Sequence, residues 1–245
     1  MKKIFFLIFI AIIGQVEKTI AQNILVIPFD DRMFYNQASA EMLKASNMKY
    51  SAMVNAFTNG LISAIQQKGG RKIISPQGVT TQGTQEDITL LIRSSLHFYL
   101  EDLPYGQKKK KKLFGCKKSK LSNKNNSPNK HQQGEVISLI GDNTNKFINS
   151  KVIDRKTFIK TVSKTNVDKV LVINELDIKE DFSSPYNNGN EHLRQIQVHY
   201  TLFDNKGKII TGGVAVKNFS SNENDVKTII KKYFGEIAAQ IVKNL

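Results

Sequence analysis

The sequence has one cysteine and no tryptophan, and the shortage of cysteine limits what can hold the fold together. Because a single cysteine cannot form an internal disulfide, the fold must depend on its apolar core. This residue, Cys116, stands among lysines, and we interpret it as an exposed thiol without a defined role. Pairing between two chains is the alternative interpretation.

Beyond its N-terminal segment, the sequence also lacks any apolar stretch of the roughly 20 residues that a membrane-spanning helix needs. The apolar run Ile4–Ile13 follows two lysines and precedes a small residue, Ala21. This order is typical of a secretory signal peptide. We therefore expect residues 1–21 to be a cleavable leader and the mature protein, from about Gln22, to be periplasmic or secreted.

An acylation site for a lipid anchor is missing as well. Bacterial lipoproteins carry a cysteine directly after the signal peptide, whereas Cys116 lies far downstream. The sequence therefore predicts an exported protein that is not lipid-anchored. The 224 or so residues that follow the leader are enough for one domain with a sizeable core, which we place at 22–245.

Acidic residues are absent from 104–134, and most of the net charge of +15 belongs to this segment. Its ten lysines are Lys108, Lys109, Lys110, Lys111, Lys112, Lys117, Lys118, Lys120, Lys124 and Lys130. Without this segment and the leader, the formal charge falls to about +3. We predict a disordered insertion, because the segment is polar and poor in apolar residues.

The lysines of this insertion have two interpretations. A flexible basic arm attracts anionic lipid or acidic polysaccharide, and the first eight lysines, Lys108 to Lys120, are the candidate contacts. Alternatively, the insertion only keeps the chain soluble, as charged runs commonly do. Nucleic acid is the least favoured partner, because the leader predicts export and because few aromatic residues accompany the lysines.

The rest of the chain alternates apolar strands with amphipathic helices. The predicted strands are Ile24–Phe29, Arg71–Ser75, Glu135–Ile140, Val170–Leu176, Gln195–Phe203 and Ile209–Val216. The predicted helices are Ser51–Lys68, which allows an earlier start near Ser39, Gln85–Leu103, a short helix capped by Asp154, and a C-terminal helix from about Asp225. This order predicts an α/β fold in which helices pack on a mixed sheet.

The segment Gln195–Phe203 alternates between apolar and polar side chains, which is typical of a strand with one wet face. The polar side chains on that predicted wet face are those of Gln195, Gln197, His199 and Thr201. Asp204–Gly207 then supplies turn residues before apolar residues return. We therefore expect a β-hairpin ahead of the C-terminal amphipathic helix.

Three segments together carry a resemblance to known proteins: Ile24–Asp30 with the letters ILVIPFD, Val167–Ile173 with VDKVLVI, and Tyr200–Ile210 with YTLFDNKGKII. With the closing helix, they resemble the α/β domain shared by the curli secretion lipoprotein CsgG, the penicillin-binding-protein activator LpoB and the N-terminal domain of TolB. The resemblance implies an envelope protein that works by contact, without a cofactor. No functional residue of these families matches this sequence position by position.

Acids follow two of the apolar strands, namely Asp30 and Asp31 after the first and Glu175 and Asp177 after the strand at Val170. Open α/β sheets bind ligands at such strand ends, so these four carboxylates, with His199 nearby, form a candidate metal site. A metal-dependent hydrolase is the activity that such a site predicts. We favour the alternative that these acids cap helices or lie in solvated loops.

No other pattern in the sequence indicates catalysis. It has neither H-E-x-x-H nor G-x-S-x-G, and its two glycine pairs, at Gly69 and Gly212, stand at a helix end and inside a strand. We therefore expect an exported, non-enzymatic accessory or scaffold protein of the cell envelope that contacts other envelope proteins and needs no cofactor. The alternatives are a binder of anionic polymer or lipid and the hydrolase.

Overall fold

The computed structural model describes residues 23–70, 73–76, 85–102, 146–182 and 191–245. Three predicted features lie outside the described residues: the leader, the disordered insertion with its lysines and Cys116, and the strand Glu135–Ile140. All three stay predictions.

The described chain contains eight strands, five α-helices and one turn of 3-10 helix, Asp31–Met33. The strands are β1 (Ile24–Ile27), β2 (Phe34–Asn36), β3 (Ile73–Ile74), β4 (Leu96–Asp102), β5 (Lys146–Val152), β6 (Lys169–Asp181), β7 (Leu193–Asp204) and β8 (Ile209–Ser220). The helices are α1 (Ser39–Ser46), α2 (Tyr50–Gly69), α3 (Gln85–Ser94), α4 (Arg155–Val162) and α5 (Val226–Val242).

Six of the strands form one mixed sheet in the order β3-β1-β6-β7-β8, with β2 pairing further along β6. Strands β1, β2 and β3 run parallel to their neighbours, whereas β6, β7 and β8 form an antiparallel meander. Strand β1 is buried at all four positions, as expected for an apolar strand covered on both faces. The predicted α/β fold with a mixed sheet, a C-terminal hairpin and a closing helix is confirmed.

Helices cover both faces of this sheet and form two apolar cores. Helices α1, α2 and α5 pack on one face, where the rings of Phe57 and Phe234 are tilted against each other with centroids 5.7 Å apart. Helices α3 and α4 pack on the other face, where Phe158 meets Phe203. The separate antiparallel pair β4-β5 lies on that second face. None of the helices in the described ranges is long and apolar enough to span a bilayer.

The predicted helix Gln85–Leu103 is wrong beyond Ser94. The Ser95 hydroxyl donates to the Ile92 carbonyl at 2.6 Å, and the chain then enters β4 at Leu96. Strand β4 pairs with β5 along its whole length. Pairing with a distant strand has overridden the local helical pattern, which is a common outcome for short apolar segments.

Smaller differences concern element ends. The region Ser39–Lys68 forms two helices, because Asn47 adopts a left-handed conformation at φ 50° and ends α1. Strand β6 continues to Asp181, beyond the predicted end at Leu176. Strands β2 and β5 were not predicted.

Helices α2 and α5 touch closely at a glycine. A Cβ atom added to Gly60 of α2 would lie 2.6 Å from Cγ2 of Ile230, whereas a Cβ on Gly235 of α5 would meet nothing nearer than Lys68 Cε at 3.9 Å. The absence of a side chain at Gly60 therefore makes room for Ile230, whereas the absence of one at Gly235 makes room for no neighbour.

We predict that Gly60→Ala lowers the free energy of unfolding by about 1–2 kcal/mol, because overpacking outweighs the gain in helix propensity. The matched variant Gly235→Ala should raise it by about 0.5–1 kcal/mol, because it gains propensity without a clash. Urea denaturation measures both values. Equal changes in the two variants would contradict the close packing of α2 on α5.

Candidate functional site

A β-bulge at Asn174 determines which face of the main sheet the polar side chains of β6 occupy. Ile173 pairs with Tyr200 and Glu175 pairs with His199, so Asn174 is an extra residue on β6. A bulge shifts the alternation of a strand by one residue. Before the bulge Ile173 faces the α2–α5 core, and after it Leu176 does, which turns Glu175 and Asp177 to the opposite face.

Glu175, Asp177 and His199 therefore meet on one face of the sheet, and we call them the buried trio. His199 Nε2 lies 3.6 Å from Asp177 Oδ2 and 3.9 Å from Glu175 Oε2. The three residues are 5%, 1% and 1% exposed, respectively. They form an enclosed polar cluster and not the wall of an open cleft.

Strand β5 lies edge-on over this face and closes it. The Ile148 N–H donates to His199 Nδ1 at 3.0 Å, and the Ile148 carbonyl accepts from Asn174 Nδ2 at 2.8 Å. Both backbone groups of this residue thus bond to side chains of the main sheet and not to another strand. Buried backbone groups need such partners, so these bonds hold β5 in place.

The same arrangement repeats two residues along β5. The Ser150 N–H donates to Thr201 Oγ1 at 3.1 Å, and the Ser150 hydroxyl donates to Asn174 Oδ1 at 3.0 Å. Thr201 Oγ1 also accepts from Asn174 Nδ2 at 2.8 Å and donates to Asn149 Oδ1. We call the bonds that Asn174, His199 and Thr201 make with β5 the polar seam.

The seam fixes the protonation of His199. Because Nδ1 accepts the Ile148 N–H, it carries no proton, and the neutral ring must carry its proton on Nε2. Nε2–H then faces the carboxyl groups of Glu175 and Asp177. In this state the imidazole presents an N–H to the two carboxyl groups and cannot bind a metal ion through Nε2.

Lysine supplies the positive charge beside the trio. Lys179 Nζ forms an ion pair with Asp177 Oδ2 at 2.7 Å and donates a hydrogen bond to Gln197 Oε1 at 3.3 Å. Burial, followed by the charge of Asp177, raises the pKa of Glu175 to about 9. Glu175 is therefore protonated at neutral pH, and the enclosed group stays close to charge balance.

The structure brings together three of the five residues predicted for a metal site. Asp30 instead accepts three hydrogen bonds from Arg32, which hold its pKa near 2, and its side chain caps the 3-10 turn. Asp31 is exposed. In the described ranges, the trio is the one group of three or more His, Cys or acidic residues whose ligand atoms lie within 4.8 Å of one another.

The predicted wet face of β7 is wrong for His199 and Thr201, which are 1% and 0% exposed. Strand β5, which was not predicted, covers them. Asn174, Asn149 and Ser150 were also missed. One signal was present: a polar residue at 174 interrupts an apolar run, and a buried amide needs partners.

No model of a known protein family matches this chain, and a search of curated proteins finds no match either.

We predict that Glu175→Gln, in protein stripped of metal ions, raises the free energy of unfolding at pH 7 by about 1–3 kcal/mol. The native pKa of about 9 exceeds the ordinary 4.5, so the stability that Glu175 contributes is complete below pH 4.5 and is lost as the pH rises toward 9. The variant should therefore remove a fall in stability across this range. Urea denaturation at several pH values measures it, and an unchanged pH profile would contradict the burial of a protonated Glu175.

Proposed function

We propose that this chain is an exported, non-enzymatic accessory protein of the cell envelope that acts by contact with another envelope protein. The observation that carries the proposal is apolar surface on helices α3 and α4, which pack against each other. Leu90 is 66% exposed and Ile153, in the turn before α4, is 52% exposed. Leu91 and Ile159 on the same two helices are also exposed.

Exposed apolar residues on two helices that pack against each other are typical of protein-contact sites. Ile153 is tied to the end of α3, because its N–H donates to the Ser95 carbonyl at 2.9 Å. The α3–α4 face is therefore a rigid surface. The predicted leader and the resemblance of three segments to envelope proteins support the same proposal.

The enclosed position of the buried trio favours this proposal over a hydrolase. A catalytic acid or base must reach its substrate, and the trio lies beneath β5 with at most 5% of any residue exposed. In addition, the Asp30 carboxylate accepts hydrogen bonds from the Arg32 side chain and does not join the trio.

Photo-crosslinking amino acids placed at Leu90 and at Ile153 should capture the same envelope protein in intact cells. The control position is Lys227, which is exposed on α5, in the helix layer on the opposite face of the sheet. The double variant Leu90→Asp with Ile153→Asp should lose the captured protein while its circular dichroism stays unchanged. Equal capture at Lys227, or no capture at either apolar position, would refute a contact site on the α3–α4 face.

A second candidate function is binding to anionic polymer or lipid through the lysines of 104–134. Strands β4 and β5 pair from Leu96 opposite Val152 to Asp102 opposite Lys146. Residues 103–145 therefore leave and re-enter the described fold at one end of this strand pair. The segment that carries the lysines is thus joined to the fold at Asp102 and Lys146.

Replacing the ten lysines of this segment by glutamine should abolish low-salt binding to vesicles that contain phosphatidylglycerol or to acidic polysaccharide. The matched control replaces the same lysines by arginine, which keeps the charge and should keep the binding. Co-sedimentation measures both variants. Retention of binding by the glutamine variant would exclude this second function.

A further inference from the structure

The buried trio contains every buried side-chain nitrogen or oxygen that lacks a hydrogen-bond partner in the part of the chain that the structure describes. These atoms are Glu175 Oε2, both carboxyl oxygens of Asp177, and His199 Nε2. Leaving a buried polar atom unpaired costs about 1–3 kcal/mol, and the ion pair with Lys179 compensates only Asp177 Oδ2, so the other atoms need an explanation. A bound ligand between them is the explanation that satisfies all of them together.

The chemistry of these atoms suits a divalent transition cation. A point between three atoms that lie 3.6–4.8 Å apart is about 2.1–2.8 Å from each, which overlaps metal–ligand distances in proteins. Two carboxylates with one imidazole form a mixed oxygen and nitrogen set. Such a set favours Zn²⁺ or Mn²⁺ over Ca²⁺ and Mg²⁺, which prefer oxygen alone.

Binding of a cation conflicts with one bond of the polar seam. A neutral imidazole that ligates a metal through Nε2 carries its proton on Nδ1. In His199, Nδ1 is the atom that accepts the Ile148 N–H, and a protonated Nδ1 cannot accept it. The cation and this hydrogen bond therefore exclude each other.

Access to the trio is widened by the same movement. The trio is buried and β5 covers its His199 side, so one route for a cation lies where β5 meets the sheet. Lys179, whose side chain is 27% exposed and contacts Asp177, marks the end of the cluster nearest to solvent. Separation of β5 at Ile148 both opens this route and frees Nδ1 to take the proton.

We propose that the buried trio is a binding site for one Zn²⁺ or Mn²⁺ ion, and that binding of the ion releases β5 from His199. The site would then link the cation to the position of the β4-β5 pair. This linkage goes beyond the contact function proposed above and does not depend on it.

The test uses the full mature chain in a Cys116→Ser background, which removes the one thiol as a competing ligand. Isothermal titration calorimetry of the metal-free protein with ZnCl₂ and MnCl₂ should give one ion per chain. Hydrogen–deuterium exchange followed by mass spectrometry should then show faster exchange in a peptide that contains Ile148 when the ion is present, with α2 and α5 unchanged.

Glu175→Gln and Asp177→Asn, singly and together, should each weaken the binding at least tenfold. The matched control is Asp30→Asn, which removes an acid outside the trio and should leave the affinity unchanged. Circular dichroism verifies that each variant is folded, and the isosteric Glu175→Gln alone is sufficient if the double variant is not.

Absence of binding by both ions would overturn the site. Binding that survives the trio variants would place the ion elsewhere and would also overturn it. Binding with unchanged exchange at Ile148 would refute the release of β5.

Discussion

The free edge of strand β5 is the constraint on which the rest of this structure depends. A buried strand edge must find partners for its N–H and carbonyl groups, and here no other strand supplies them to Ile148. The side chains of Asn174 and His199, on the face of the main sheet, supply these partners instead. The edge of β5 thus packs against a face of the main sheet, and buried polar side chains hold it there.

The bulge at Asn174 makes this attachment possible and determines what else is buried. The extra residue directs the amide of Asn174 toward β5 and turns Glu175 and Asp177 inward after it. The acids are therefore enclosed by the same feature that holds β5. Their enclosure keeps both acids out of contact with solvent.

How far the sequence predicts this structure depends on how local each interaction is. Apolar periodicity identifies β1 and the strand from Val170, and hence the α/β class, because burial on two faces leaves a local pattern. The prediction that the helix continues past Ser94 is wrong because the segment forms β4. This strand pairs with β5, which lies more than 40 residues later in the sequence, and no local pattern indicates such pairing. His199 could be associated with the strand-end acids, but the bulge that brings them together is a shift in the pairing of β6 with β7, which no local pattern predicts.

The measurement that tests the edge-on attachment most directly is amide hydrogen exchange at single-residue resolution in the metal-free protein. If side chains of the main sheet hold β5, the Ile148 and Ser150 amides should exchange as slowly as central amides of β6 and β7, such as that of Leu171. Exchange of Ile148 and Ser150 as fast as that of the exposed turn residue Lys206 would contradict the account.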